Sequence, residues 1–203
     1  MKVFAKKVFQ GDNPNIVAWD EPTVRKFDGK TVYGRPTKGY GTSEFNYAGK
    51  LYNPEPWTLP MEDIKDKAEE WASKLMDKPI EFTFCLCGLY ETGDDYIPHH
   101  SDTVPTLDDV VLGISFGGTR VLEWNQYSTT VKKDTNTSEL WGALLAKPSL
   151  QNEQRYIPET TRFLLEEGDV YLFDGHSQMT ATHSVPSLVG CKRRVSLTFR
   201  SGL

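Results

Sequence analysis

Cysteine is scarce in this chain of 203 residues: three are present, Cys85, Cys87 and Cys191. A disulfide framework needs pairs in an oxidising compartment, so an odd, sparse set points to reduced thiols and an expected intracellular (cytoplasmic or nuclear) location. Cys85 and Cys87 stand two apart in EFTFCLCGLY, on one face of an expected strand. Two small buried hydrophobes and half of a zinc site are both readings of that spacing. No second Cys/His pair has matching spacing, which favours the first. Long apolar runs are missing as well. The longest, residues 110–116, contains Gly113 and Ser115 and falls far short of the roughly 20 residues of a membrane-spanning helix. No apolar stretch follows the N-terminal lysines, so no secretory signal is expected. A basic excess is absent too: 23 Lys and Arg stand against 28 Asp and Glu, a net charge of −5. That argues against a strongly basic nucleic-acid binder. Internal repeats, low-complexity tracts and Pro/Ser linkers are also lacking, so one domain spanning 1–203 is expected, as a monomer.

What is there is core material. Apolar residues make up 38% and aromatics 12% of the chain, which excludes disorder as the main state. Charge is uneven: residues 1–50 carry 9 basic and 5 acidic side chains, residues 51–110 carry 4 and 14, and residues 111–203 carry 10 and 9. The N-terminal stretch could therefore meet a phosphate backbone while the acidic middle faces solvent.

Glycine punctuates residues 1–50, at 29, 34, 39, 41 and 49, as expected of short strands and turns. From 61 to 76 the pattern becomes helical, with Ile64, Ala68, Trp71 and Leu75 on one stripe and Lys78-Pro79 ending it. After Pro79 come alternating runs and turns: EFTFCLCGLY, VVLGISFGGTRVLEW broken at Gly117-Gly118, RFLLEEGDVYLFDG broken at 166–169, and RRVSLTFR. Many short strands after one helix predict a mainly β (α+β) jelly-roll-like sandwich with a flanking helix. Residues 126–160 are polar and read as a long surface insertion.

Four histidines are present: His99, His100, His176 and His183. His100-Ser101-Asp102 puts an imidazole and a carboxylate two residues apart, on one face of an extended segment. A second neutral imidazole would complete a 2-His-1-carboxylate set, which binds Fe(II) and leaves positions open; His183, in ATHSVP, is the candidate. Taken singly, H-x-D equally fits a loop histidine beside a capping aspartate. The C-terminal strand adds weight. Arg194, Ser196, Thr198 and Arg200 share one face at period two, and two arginines there either face solvent or line a cavity that binds a carboxylate. His99 is expected to point to the opposite face from His100, and His176 to lie in a loop.

In order along the chain, YETGDDYIPHHSD, VLGISFGGTR, GDVYLFDG, ATHSVP and RRVSLTFR resemble the AlkB family of Fe(II)/2-oxoglutarate-dependent dioxygenases. Tyr90, Gly93, Ile97, His100 and Asp102 match the N-x-Y-x-x-G…I-x-x-H-x-D pattern; His183 matches the distal histidine, and Arg194 and Arg200 the closing R-x-x-x-x-x-R. The resemblance covers about residues 30–203. It implies a double-stranded β-helix (jelly-roll) core over 80–203, a supporting helix over 61–76, and an N-terminal extension over 1–60 holding a nucleotide-recognition lid. It further implies Fe(II) held by His100, Asp102 and His183, with O2 as oxidant. The distal carboxylate of 2-oxoglutarate would pair with Arg194 and the Tyr90 hydroxyl, and Arg200 would lie near the carboxylate that chelates iron. Phe45 and Tyr47, in FNYAG before LYNPEPW, look like part of the lid; they either stack an extruded base or cover the barrel end.

The chain departs from the family at several positions. Gly88 and Ser196 stand where the family has asparagines that contact the co-substrate, and Thr103-Val104 where repair members carry base-facing acidic residues. The implied function is oxidative demethylation of N-alkylated bases in nucleic acid, single-stranded by expectation, releasing formaldehyde, succinate and CO2. Oxidation of a protein or small molecule by the same chemistry, and a non-catalytic jelly-roll metal-binding module, are the alternatives. Intact Arg194 and Arg200 speak against the module, which needs no co-substrate anchor.

Overall fold

A computed structural model describes residues 2–10, 16–22, 24–27, 30–47, 50–102, 106, 108–126 and 159–201; of 24–27, 30–33, 45–47, 50, 52 and 179 it describes the backbone. Thr103, Val104 and most of the expected insertion, 127–158, lie outside the described residues.

The strands are β1 (Lys2–Ala5), β2 (Val24–Phe27), β3 (Lys30–Tyr33), β4 (Thr37–Gly41), β5 (Phe45–Tyr47), β6 (Lys50–Tyr52), β7 (Phe82–Tyr90), β8 (Ile97–His100), β9 (Val110–Gly117), β10 (Arg120–Gln126), β11 (Glu159–Leu165), β12 (Asp169–Asp174), β13 (Ala181–Val185) and β14 (Arg194–Ser201). Helix α1 spans Leu59–Met76 and the short α2 spans Gly175–Thr180. A six-stranded sheet runs β1-β12-β9-β14-β7-β4 and a four-stranded sheet runs β11-β10-β13-β8. Two hairpins, β2-β3 and β5-β6, complete the described strands.

The larger sheet has two unlike faces, and the alternation of its sequences accounts for both. Cys85, Cys87 and Leu89 of β7, Val195, Leu197 and Phe199 of β14, and Leu112, Ile114 and Phe116 of β9 join one core cluster with Met61, Ile64, Ala68 and Ala72 of α1. Both cysteines are thus small core hydrophobes, their Sγ atoms 4.0 Å apart. The opposite face turns Tyr90, Val111, Tyr171 and Phe173 toward Leu122, Trp124, Ala181 and Val185 of the smaller sheet, a second cluster. On this inner face Arg194 pairs with Tyr90 and Gly117, Ser196 with Gly88 and Ser115, Thr198 with Gly113, and Arg200 with Val111.

Three details differ from the sequence reading. Helix α1 starts at Leu59, with Pro60 in its first turn, where the missing N–H of proline costs nothing. Its buried stripe runs Met61, Ile64, Ala68, Ala72; Trp71 is half-buried and Leu75 is exposed. The two alanines let the helix lie close on the sheet, and larger apolar residues at the edge of the stripe misled the periodicity. His176 sits in α2 rather than in a loop, exposed. The side chain of Asp174 caps that helix by accepting from the Ser177 N–H at 2.9 Å.

Candidate metal centre

β8 and β13 are antiparallel neighbours that place His183 directly opposite His100. The two rings lie 4.3 Å apart by centroid. Asp102, two residues past the end of β8's pairing, turns its carboxylate between them: Oδ1 is 3.7 Å from His100 Nε2 and Oδ2 is 3.4 Å from His183 Nε2. One donor atom from each residue fits within a 4.8 Å group. Among the described residues this is the group of three or more His, Cys, Asp or Glu close enough to hold a metal ion.

The surroundings fix the orientation of each ligand. His100 Nδ1 donates to the Pro98 carbonyl at 2.8 Å, so Nδ1 carries the proton and the Nε2 lone pair faces Asp102. His183 is packed beside Phe173 and stacked on Trp124, ring centroids 4.9 and 6.2 Å away. The Asp102 N–H donates to Gln178 Oε1 at 3.0 Å, and the Ser101 hydroxyl donates to the Ala181 carbonyl at 2.8 Å. These two bonds tie the end of β8 to α2 and the start of β13. Arg200 Nη2 donates to Asp102 Oδ1 at 2.7 Å.

Electrostatics keep Asp102 and His100 in their metal-binding form. Burial pushes the Asp102 pKa up, but Arg200 and then the two imidazoles outweigh it and hold the carboxyl well below the usual range. Burial, followed by the neighbouring His183, lowers His100 to about 4. At neutral pH the cluster is therefore one carboxylate with a neutral His100 imidazole. Two imidazoles and one carboxylate with hydrogen-bonded supports fit the facial triad of a non-haem Fe(II) oxygenase, whose remaining positions stay open.

The other expected site residues take definite places. Arg194 is buried; its Nε donates to Ser115 Oγ at 2.8 Å, while Nη1 and Nη2 are buried without a partner among the described residues. A guanidinium so arranged offers both terminal nitrogens to an anion. Tyr90 is buried, and its ring centroid lies 4.8 Å from Arg194 Cζ. Arg200, expected near the co-substrate carboxylate that chelates iron, lies beside the Asp102 carboxylate. Phe45 and Tyr47 form β5, paired with Tyr52 and Lys50 of β6; their side chains lie outside the description. His99 points outward as expected, 3.5 Å from Glu123 and 3.2 Å from Ser184 Oγ.

Sequence reasoning overlooked several inner-face residues. Tyr171 is buried over Gly113, where a Cβ would come within 2.0 Å of its Cζ. Arg120 is fully buried, with Nη2 donating to the Thr92 carbonyl at 2.8 Å. Arg35 lies over the Tyr90 ring at 4.0 Å. Period two in VYLFD could have flagged Tyr171 as a partner of the arginine row; nothing local marks Arg35, which arrives from a distant segment.

Comparison with known proteins agrees with this geometry. No curated protein matches the chain in sequence. A solved structure described as "The structure of OsALKBH1" shares the fold with a TM-score of 0.61 at 17% identity, covering 98% of this chain and 97% of that one. A family model, the 2OG-Fe(II) oxygenase superfamily, matches residues 21–200. With that match over nearly the whole chain, and the His-Asp-His set it requires assembled between β8 and β13, the protein belongs to the 2OG-Fe(II) oxygenase superfamily.

Proposed function

We propose that this protein demethylates N-alkylated bases in single-stranded nucleic acid by Fe(II)- and 2-oxoglutarate-dependent oxidation. The observation that carries the oxidative part is the pairing of the His100/Asp102/His183 cluster with a buried Arg194 whose Nη1 and Nη2 have no partner. A metal triad and a waiting guanidinium on one inner face fit a chelating keto acid with a second, distal carboxylate. In this reading the two sheets are the walls of a double-stranded β-helix over 80–203, braced by the helix and carrying residues 1–60 as extension and lid.

His100, Asp102 and His183 would hold the iron, and Arg200 keeps Asp102 ionised and aimed. Arg194, with the Tyr90 hydroxyl, takes the distal carboxylate of 2-oxoglutarate. When bound, iron and 2-oxoglutarate supply with O2 the oxidising power that inserts one oxygen atom into a C–H bond, the co-substrate leaving as succinate and CO2. Trp124 and Phe173 pack against His183 and exclude water from that side of the metal. The methyl group becomes an N-hydroxymethyl group, which loses formaldehyde and leaves the unmodified base. The β5-β6 hairpin, with aromatic residues at 45 and 47, and the basic excess in residues 1–50 support a base as the substrate. So does the likeness in fold to a structure whose name marks it as an AlkB homologue.

The test is mass spectrometry of methylated oligonucleotides, single- and double-stranded, incubated with protein, Fe(II), 2-oxoglutarate and ascorbate. Loss of the methyl mass with matching formaldehyde is the expected result. The net charge of −5 favours the second reading, a protein or small-molecule hydroxylase. Succinate formation with no oligonucleotide ever turned over would establish it. Absence of succinate under every condition would leave a metal-binding module.

A further inference from the structure

The inner face around Tyr90 carries more positive charge than one arginine anchor requires. Arg35 Cζ lies 4.0 Å, Arg194 Cζ 4.8 Å and Arg120 Cζ 6.0 Å from the Tyr90 ring centroid. Among the described residues, each of these three has at least one buried guanidinium nitrogen without a partner: Arg35 Nη1, Arg120 Nε, and Nη1 and Nη2 of Arg194. Their other bonds go to neutral groups. Arg35 Nε donates to the Tyr96 carbonyl at 3.2 Å, Arg120 to the carbonyls of Thr119 and Thr92, and Arg194 to Ser115 Oγ. Among the described residues no carboxylate pairs with any of them. Three cations gathered on one ring with no countercharge are costly unless an anion joins them.

Arg35 has a specific place in this arrangement. Gly88 is the register partner of Ser196, two pairs along from Tyr90 and Arg194 and so on the same face, and the side chain it lacks would stand on the inner face. A Cβ built on Gly88 falls 3.0 Å from Arg35 Nη1. The guanidinium therefore occupies the room that the glycine leaves, beside the residues that face the metal cluster. An arginine there adds a full charge with its donors, where a neutral amide on β7 would give donors without the charge.

We propose that Arg35 is a specificity residue for the co-substrate: a second cation, with Arg194, for the distal carboxylate, which makes this end of the cleft selective for a keto acid with two carboxylates. The proposal rests on the reading of Arg194 given under the proposed function. Its competitor is a purely packing role, in which Arg35 holds the Tyr90 ring by stacking and no anion touches it.

The experiment is calorimetric titration of the Mn(II)-loaded protein with 2-oxoglutarate and, in parallel, with 2-oxobutyrate, which has the keto acid group but no distal carboxylate. Wild type, Arg35→Ala, Arg35→Gln and Arg194→Ala are compared. The glutamine variant keeps a flat group over Tyr90, so it reports even if alanine unsettles the fold. The expected result is a loss of about ten-fold or more in 2-oxoglutarate affinity for both Arg35 variants, a larger loss for Arg194→Ala, and unchanged 2-oxobutyrate binding in the Arg35 variants. Gly88→Ala, whose methyl group presses on Nη1, should weaken 2-oxoglutarate in the same direction. Equal losses for both keto acids in the Arg35 variants would make Arg35 a packing residue and overturn the proposal. Wild-type affinity in both Arg35 variants with a weakened Arg194→Ala would also overturn it, leaving the proposed function intact. Wild-type affinity in Arg194→Ala would instead overturn the reading on which both rest.

Discussion

Asp102 and Asp169 are both buried carboxylates held ionised, by different means. Asp102 has Arg200 and two imidazoles, and its use is a metal. Removing His183 takes away one ligand and the partner of Oδ2, so His183→Ala should keep the fold and abolish succinate formation. Retained turnover, with a circular dichroism spectrum like that of wild type, would refute the triad. Asp169 instead binds backbone: it accepts from the N–H groups of Lys7 and Glu166 at 3.0 and 2.7 Å and from Lys6 Nζ at 2.6 Å. Burial raises its pKa, but the Lys6 bond and the two backbone N–H groups outweigh that and the net shift is downward. A carboxyl whose folded pKa is depressed contributes stability above its unfolded pKa, near 3.9, and loses it as pH falls through the folded value. Asp169→Asn should therefore lower stability by about 1–3 kcal/mol at pH 7, chiefly through the two backbone bonds, since Lys6 is largely exposed. Urea unfolding from pH 7 downward should show the gap to wild type narrowing below about pH 4; a gap constant with pH would mean the loss is steric. The metal triad could be read from sequence because H-x-D and a distal histidine combine with a spaced pair of arginines. Asp169 could not, because two of its partners are main-chain N–H groups and the third, Lys6, lies far away in sequence, so no side-chain pattern reveals them.

At the level of elements, β14 does two jobs with one alternation. Val195, Leu197 and Phe199 enter the core under α1, and Arg194, Ser196, Thr198 and Arg200 line the inner face. That division was legible in the sequence because the two rows differ so sharply in polarity. β7 was less so: Phe82 through Tyr90 is buried at every position but the half-buried Thr83, and a strand covered on both sides gives little polar alternation. The first glycine in β9 was opaque for another reason. Gly113 is the register partner of Tyr171 and supports its ring. Burial raises the Tyr171 pKa, partly offset by Arg194 nearby, and its hydroxyl reaches Thr198, so it is a neutral phenol near Arg194. A methyl group at 113 would come 2.0 Å from Cζ, so the ring must swing away. Gly113→Ala should cost about 1–3 kcal/mol through overpacking and, by displacing the phenol, weaken 2-oxoglutarate more than Mn(II). Unchanged thermal stability together with unchanged 2-oxoglutarate affinity would show that the ring moves at no cost and takes no part in the pocket.

For the molecule as a whole, the decisive question is whether the outer face of the cleft reads a base. The parts that the proposed function assigns to co-substrate consumption, the triad with Tyr90, Arg194 and Arg200, lie on β7, β8, β13, β14 and the turn after β8. Phe45 and Tyr47 belong to a separate two-stranded hairpin outside both large sheets. This separation makes the two activities dissociable. Stacking of a flipped base on an aromatic side chain contributes about 1–3 kcal/mol, so Phe45→Ala with Tyr47→Ala should cut demethylation of a single-stranded oligonucleotide by roughly 10- to 1000-fold. Uncoupled conversion of 2-oxoglutarate to succinate should survive nearly intact. The charge distribution adds a second signature. With a net charge of −5 and a basic excess confined mainly to residues 1–50, few phosphates can be neutralised, and the logarithm of affinity should fall only shallowly with the logarithm of salt concentration. Single strands should be preferred, because no pairing energy opposes extrusion of the base. Equal loss of demethylation and succinate formation in the double variant would make the hairpin a structural cover. A steep salt dependence would place the phosphate-binding surface beyond residues 1–50.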